Sequence, residues 1–293
     1  MKLRSVAYSK INLFLKVTGK RDDGYHEILS FFLPLTSPAD QIVLTVDDLT
    51  LLYGIEVRCR DSRVPTGEAN ICYKAAEKYA AMTGLTARWR IEIDKQIPIA
   101  AGMGGGSSNA AAVLQLLQKH YKQLPLPVLA KAALRTGADV PFFMESRPAI
   151  VSGIGERLEF LSETLPEIPL VIVNPGFPVS AAWAYEHLDP DLIAPVNKEY
   201  FSALLSAIRL GNLKTCASLL HNDLAPAVMH KFPILQIIKE HLLNHGALGA
   251  EMTGSGPTMF AICGDFVQAE KIAAAMRQDF PEMTVFVSGK REQ

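Results

Sequence analysis

Four short segments carry residue types that could do chemistry. The first is PIAAGMGGGSSN, residues 98 to 109, in which Gly102, Gly104, Gly105 and Gly106 precede Ser107 and Ser108 and a helix-like run, AAAVLQLLQKHY, follows at once. Glycines let the backbone approach an anion closely. The first amides of a helix have no partner of their own, and the macrodipole adds about half a positive charge at that end. Phosphate suits such a cradle, and the serines can cap the helix or offer a hydroxyl to phosphate or Mg²⁺. A Walker A loop would need Lys followed by Ser or Thr after its last glycine, and a dinucleotide fingerprint would need glycine where Ser107 stands. Alone, the segment supports anion binding; a tight strand-to-helix turn with packing glycines is the alternative.

A second and a third segment supply a cation and a carboxylate. Lys10 lies in an alternating stretch, Val6 to Val17, with Tyr8, Lys10, Asn12 and Phe14 on one strand face and Ser9, Ile11, Leu13, Leu15 and Val17 on the other. Asp139, in RTGADVPFF, follows a helix end marked by Gly137 and precedes an apolar group. A carboxylate in apolar company is a candidate general base, and a nearby ammonium can compensate its charge. Phosphoryl transfer asks for little more than positioning, charge neutralisation and a proton acceptor. Taken singly, Asp139 also reads as a turn or cap residue and Lys10 as a solvated strand charge.

The fourth segment, GKRDDGYHE at 19 to 27, reads as an Asp-Gly turn presenting Tyr25 and His26, an aromatic to stack on a base and an imidazole to hydrogen-bond it. Tyr185, beyond the PGF turn, could supply a second ring; ordinary packing is the alternative for each. GALGAEMTGSGPTMFAI, from Gly246 to Ile262, is either a brace for the phosphate loop or a tight connection. His241 and His245 share a helix face four residues apart, but no acidic residue stands at the HExxH position, so they read as surface or interface residues and no metal ligand is assigned. Asp47 and Asp48 read as a solvated loop.

These segments need elements to hold them. Strand patterns occur at Ile42 to Val46, Trp89 to Ile93, Leu170 to Val173, Met259 to Cys263 and Thr284 to Ser288, besides the first stretch. Helical spacing marks Ile71 to Met82, Ala110 to Tyr121, Val128 to Thr136, Tyr200 to Leu210, Ile234 to His245 and Val267 to Asp279. Strands and helices do not alternate regularly, which favours α+β layers over a doubly wound parallel sheet. At 293 residues the chain suits two lobes, with a boundary near LPEIP at 165 to 169. The 29 basic and 30 acidic residues nearly cancel, so no global field holds nucleic acid or a membrane. Four scattered cysteines fit reduced thiols. Neither a secretory leader nor a long apolar run is evident, so a cytoplasmic location is expected.

Taken in order, SKINLFLKV, GKRDDGYHE, PIAAGMGGGSSNAA, GADVPFF and MTGSGPTMFAI resemble the GHMP kinase superfamily, named for galactokinase, homoserine kinase, mevalonate kinase and phosphomevalonate kinase, over essentially the whole chain. YSKINLFLKV, DGYHE and GADVPFF look like the branch whose substrate is a cytidine diphosphate-linked methylerythritol on the non-mevalonate route to isoprenoids. The resemblance implies a two-lobed α+β fold: a ribosomal protein S5-like, ATP-binding lobe over residues 1–162 and a ferredoxin-like lobe over 163–293 that contributes to substrate binding. It implies ATP with Mg²⁺ as phosphoryl donor and the 2-hydroxyl of the methylerythritol moiety as acceptor.

By matched position, Asp139 is the base and Lys10 its electrostatic partner. Tyr25 and Tyr185 flank cytosine, His26 reads its edge and Asn12 positions the acceptor. Pro98, Ile99, Ala100, Ala101, Gly102, Met103, Gly104, Gly105, Gly106, Ser107 and Ser108 wrap the triphosphate, and Asn70, Ile71 and Lys95 lie near the purine. The chain departs from the family at Ala181, where threonine is common, and at Ala100, Ala101 and Met103, where glycine and leucine are frequent. Ser180 could replace the lost hydroxyl contact. Another enzyme of the superfamily, a homoserine or mevalonate kinase, is the runner-up, and a nucleotide-binding regulator without catalysis is the alternative from a different class. A monomer or homodimer is expected.

Overall fold

The computed structural model describes residues 1–47 and 53–289. The chain runs through β1 (Lys2–Lys20), β2 (His26–Asp47), β3 (Gly54–Cys59), α1 (Ile71–Thr83), β4 (Arg88–Asp94), α2 (Gly105–Tyr121), α3 (Leu126–Thr136), α4 (Val140–Glu145), β5 (Ala149–Gly153) and β6 (Arg157–Phe160). It continues through β7 (Leu170–Asn174), α5 (Ala181–Glu186), α6 (Lys198–Leu210), α7 (Leu213–Ser218), β8 (His221–Asn222), α8 (Ala225–Lys231), α9 (Ile234–Asn244), β9 (Gly249–Met252), β10 (Met259–Ile262), α10 (Phe266–Asp279) and β11 (Thr284–Ser288). Two compact units result. One holds residues 1–9, 38–99 and 104–147, the other residues 10–37, 100–103 and 148–293, so β1 and β2 each pass from one unit into the other.

In the first unit, β4 pairs in parallel with β3 and antiparallel with β2, Ile91 opposite Leu44 and Val57. Helix α1 packs on α2 and α3, and α2 also on α4. Trp89 and Tyr79 are fully buried there. Their polar atoms are satisfied, Trp89 Nε1 by the Tyr121 hydroxyl at 3.0 Å and the Tyr79 hydroxyl by Gln118 Oε1 at 3.0 Å, as buried aromatics with polar tips require.

In the second unit, β7 pairs antiparallel with β10 and β11, and β10 with β9, giving the order β11-β7-β10-β9. All five residues of β7 are buried, and so are all four of β9 and of β10. Helices α9 and α10 pack on this sheet. Leu235, Ile238 and Leu242 of α9 and Ile272 and Met276 of α10 join Val171, Val173 and Met259 in one apolar core. Strand β8 runs parallel to β1, Phe14 opposite His221.

The strand expected at Ile42 to Val46 is the end of a much longer β2, and the expected helix from Ala110 begins five residues earlier, at Gly105. Asp47 is no loop residue: it closes β2 opposite Arg88, whereas Asp48 lies outside the described residues. From Ser9 to Leu15 both faces of β1 are buried, not just the apolar one. The four cysteines carry no disulfide. Among the described residues no helix is long and apolar enough to cross a membrane.

Candidate active site

In the second unit, the alternation of β1 puts Lys10 and Asn12 side by side, both almost fully buried. Lys10 Nζ donates to Asn12 Oδ1 at 2.7 Å and to the Gly102 carbonyl at 3.0 Å, and lies 4.6 Å from the centre of the Phe32 ring. A buried ammonium is tolerated when its protons find acceptors and an aromatic face shields it. Lys10 is therefore a fixed, desolvated cation and not a solvated strand charge.

Asn12 is itself clamped. Its backbone amide donates to Thr253 Oγ1 at 2.9 Å, that hydroxyl donates to Asn12 Oδ1 at 3.2 Å, and Asn12 Nδ2 donates to Ser30 Oγ at 2.9 Å. The Ser30 hydroxyl in turn donates to the Phe14 carbonyl. Sequence reasoning missed Ser30 and Thr253. The signal for both was a hydroxyl inside an otherwise apolar strand or strand end, which buries only when it has a partner.

The Gly246–Ile262 segment does brace the loop. Gly102 has φ +75°, and a Cβ there would overlap the Thr253 carbonyl; a Cβ at Gly254 would stand 2.9 Å from the Gly102 carbonyl oxygen. Asn222 holds the same turn, its Nδ2 donating to the carbonyls of Met252 at 2.7 Å and Gly254 at 2.9 Å. Ala100 and Met103 are anchored by backbone bonds, from Val179 N at 3.2 Å and from Lys10 N at 3.1 Å. Ala101 is buried beside them in sequence.

In the first unit, α2 starts from Gly104, which sits at φ +71° with no side-chain cap. Its first intrahelical bond is Ser108 N to Gly104 O at 2.9 Å, so the amides of Gly105, Gly106 and Ser107 precede the ladder. No acidic residue stands in this first turn. That combination suits an anion.

Beneath it, Asp40 is fully buried and collects four donors: Lys95 Nζ at 2.6 Å, Gln96 N at 2.7 Å, Ile97 N at 2.8 Å and Asn109 Nδ2 at 2.7 Å. Lys95 also donates to the Ile97 carbonyl at 2.7 Å, so it pins the segment after β4 that leads into Pro98 and Ile99. A Cβ at Gly105 would stand 2.9 Å from Ile97 Cγ2 and 3.0 Å from Lys95 Nζ, and one at Gly106 3.5 Å from Ile71. Asn70 caps α1, its Oδ1 accepting from Cys72 N at 2.7 Å. Asp40 escaped sequence reasoning because an acid within a strand carries no local mark of burial.

Asp139 occupies the N-cap position of α4, yet its side chain makes no capping bond. Its neighbours Val140, Phe142 and Phe143 are buried, as the sequence suggests. The two catalytic candidates thus belong to different units, Lys10 to the second and Asp139 to the first.

The turn at residues 21 to 25 closes as expected, with Arg21 N donating to Tyr25 O at 2.8 Å and Gly24 at φ +86°. Tyr25, His26 and Tyr185 line one cavity of about 610 Å³ together with Lys20, Ala181 and Glu186. His26 stacks on Tyr185, ring centres 5.3 Å apart at 21°, while Tyr25 is 60% exposed. Desolvation, helped by the positive charge of Lys20, lowers the His26 pKa, so the ring is neutral at pH 7 and can both give and take a hydrogen bond. Ala181 offers the cavity a methyl group. Ser180 accepts from Trp183 N at 3.3 Å and caps α5.

Residues 70–147 match the model of the GHMP kinases N terminal domain, and residues 203–282 that of the GHMP kinases C terminal. A 4-diphosphocytidyl-2-C-methyl-D-erythritol kinase of Clostridium kluyveri is 38% identical over 280 residues, 95% of this chain and 97% of the relative. The crystal structure of a 4-(cytidine 5'-diphospho)-2C-methyl-D-erythritol kinase aligns with a TM-score of 0.82 at 32% identity, covering 99% of this chain and 100% of the other. A homoserine kinase of Cytophaga hutchinsonii reaches 0.76 at 19% identity over 98% of this chain and 94% of that one, a likeness of fold alone.

Proposed function

The chain belongs to the GHMP kinase family, and we propose that it transfers the γ-phosphoryl group of ATP to the 2-hydroxyl of 4-diphosphocytidyl-2-C-methyl-D-erythritol, on the non-mevalonate route to isopentenyl diphosphate and isoprenoids. The observation that carries the choice of acceptor is the aromatic cavity of Tyr25, His26 and Tyr185. Its volume, about 610 Å³, suits a nucleoside-sized group, and a neutral imidazole at its wall suits a cytosine edge. Homoserine and mevalonate carry no base to fill it.

In this reading the amides of Gly105, Gly106 and Ser107 receive phosphate oxygens, and Ser107 and Ser108 offer hydroxyls to the phosphates or to Mg²⁺. The metal ion would neutralise charge on the triphosphate. Asp139 accepts the proton of the 2-hydroxyl as its oxygen bonds to the γ-phosphorus and the bond to ADP breaks. Lys10, held desolvated by Asn12 and Gly102, offsets the charge of the carboxylate and of the transferring group. Asn12 positions the acceptor through the same network.

The test is a turnover assay with ATP and Mg²⁺ against a panel of alcohols. The cytidyl substrate should be phosphorylated, with homoserine and mevalonate inert. Turnover of either of those without the cytidyl compound would overturn the assignment.

A further inference from the structure

Outside the phosphate and aromatic sites, α9 and α10 bring together three side chains that no step of the reaction uses. His241 and His245, four residues apart, lie on one face at the C-terminal end of α9, and Asp279 is the last residue of α10. One ligand atom from each falls within 4.8 Å of the others. We propose that His241, His245 and Asp279 form a binding site for one divalent transition-metal ion of the zinc class, with a fourth position left to water.

The donor set points to that class. Two imidazoles and a carboxylate suit Zn²⁺ and its borderline neighbours, whereas Mg²⁺ and Ca²⁺ ask for oxygen throughout. The ring of His245 is already oriented: its Nδ1 lies 2.9 Å from the His241 backbone carbonyl, which can only accept. Nδ1 therefore carries the proton and Nε2 keeps a lone pair. An outer hydrogen bond of this kind fixes the tautomer of metal-bound histidines. The His241 ring is steadied edge-to-face by Phe280, with centres 5.1 Å apart, and tilts over His245 at 4.1 Å.

His241 Nε2 is the more telling atom. It is buried and makes no hydrogen bond, although Asp279 Oδ2 stands 3.3 Å away. In a tetrahedral site with bonds of about 2.0–2.1 Å, neighbouring ligand atoms lie about 3.3 Å apart, and the oxygen sits about 35° off the nitrogen lone pair. An ion shared by the two groups explains both the spacing and the missing hydrogen bond. Drawing the remaining atoms in from at most 4.8 Å is a movement of no more than about 1.5 Å, within reach of side-chain torsions at the exposed His245 and Asp279. Both helices end at the site, and their carbonyl ends favour a cation. Each packs on the sheet. A bound ion would clasp their ends together.

Sequence spacing could not reveal this, because the carboxylate comes from a separate helix. The experiment is titration of chelator-stripped, nucleotide-free full chain with Zn²⁺ alone, read by competition with a zinc indicator and by the thermal midpoint. One equivalent should bind and raise the midpoint, and Mg²⁺ should not. His245→Ala and Asp279→Asn, both exposed positions, should each weaken Zn²⁺ binding at least about tenfold, the scale of losing even an outer partner, and remove the midpoint shift. Kinase turnover with Mg²⁺ should not change in either variant. Wild-type affinity in both variants, or no Zn²⁺ shift in the wild type, overturns the proposal.

Discussion

Thr253→Val tests whether the buried network around Asn12 orients Lys10. Valine keeps the shape of threonine but removes the hydroxyl that accepts the Asn12 amide at 2.9 Å and donates to Asn12 Oδ1 at 3.2 Å. Both residues are essentially inaccessible to water, so no solvent replaces the lost acceptor. An unsatisfied buried N–H costs about 1–3 kcal/mol. At about 2 kcal/mol the thermal midpoint of a 293-residue chain should fall by about 3 °C. Asn12 Oδ1 is also the acceptor of Lys10 Nζ, at 2.7 Å, so a carboxamide held through Ser30 alone lets the ammonium drift. Displacement on the ångström scale can cost about 10²-fold in rate, and kcat should drop about 10- to 100-fold. Thr253→Ser is the control: it keeps the hydroxyl, loses a methyl worth about 0.8 kcal/mol and should hold kcat near wild type. Thermal melts and ATP-coupled turnover measure both effects. If the valine variant stays within about 0.5 kcal/mol and twofold in kcat, or the serine variant matches it, the network does not position Lys10.

Asp139→Asn should lower kcat by about 10² to 10⁴ in the same turnover assay while the melting curve stays put, since the side chain makes no capping bond to lose. Gly102→Ala should destabilise by about 2–5 kcal/mol, combining a left-handed backbone with overlap at the Thr253 carbonyl, as read from denaturant melts. Lys95→Met should cost about 3–5 kcal/mol in the same melts by stranding the buried Asp40 carboxylate. His26 has a lowered pKa, so KM for the cytidyl substrate should be flat at neutral pH and rise only on acidification past the ordinary imidazole range; Lys20→Gln removes one cause of the lowering and should move the rise to higher pH in a pH–KM profile.

Local periodicity carried much of the fold. The alternation of β1 foretold that Lys10 and Asn12 share a face, and their 2.7 Å bond bears it out. Helices α1, α3, α6, α9 and α10 fall where three- and four-residue spacing places them. Failures came where composition and tertiary packing disagree. Glycine and serine are poor helix formers, so the first turn of α2 hid behind its own sequence. Pro34 and Pro38 lie inside β2 and read as breaks in it, which concealed most of a 22-residue strand. Asp40, Ser30 and Thr253 owe their roles to partners far along the chain, and no window of sequence contains those. The aromatic cavity was legible residue by residue, but the contact made is His26 on Tyr185, with Tyr25 standing exposed.

The glycine-rich loop shows how one sequence signal can stand for several physical requirements. Gly102 is glycine because the turn at Thr253 and Gly254 packs against its backbone, and Gly105 because Ile97 and Lys95 fill the space a side chain would need. For these two the packing reading is right. Gly104 supplies the left-handed residue from which α2 starts. Glycine count alone therefore overstates the case for an anion. What argues for phosphate is narrower: the amides of Gly105, Gly106 and Ser107 stand ahead of the Ser108 to Gly104 bond, and the first turn has no carboxylate to compete for them. Backbone donors of this kind survive side-chain replacement as long as the helix starts at the same residue. Departures such as Ala100 and Met103, which lie before that start and are anchored through their own carbonyls, leave the donor set intact.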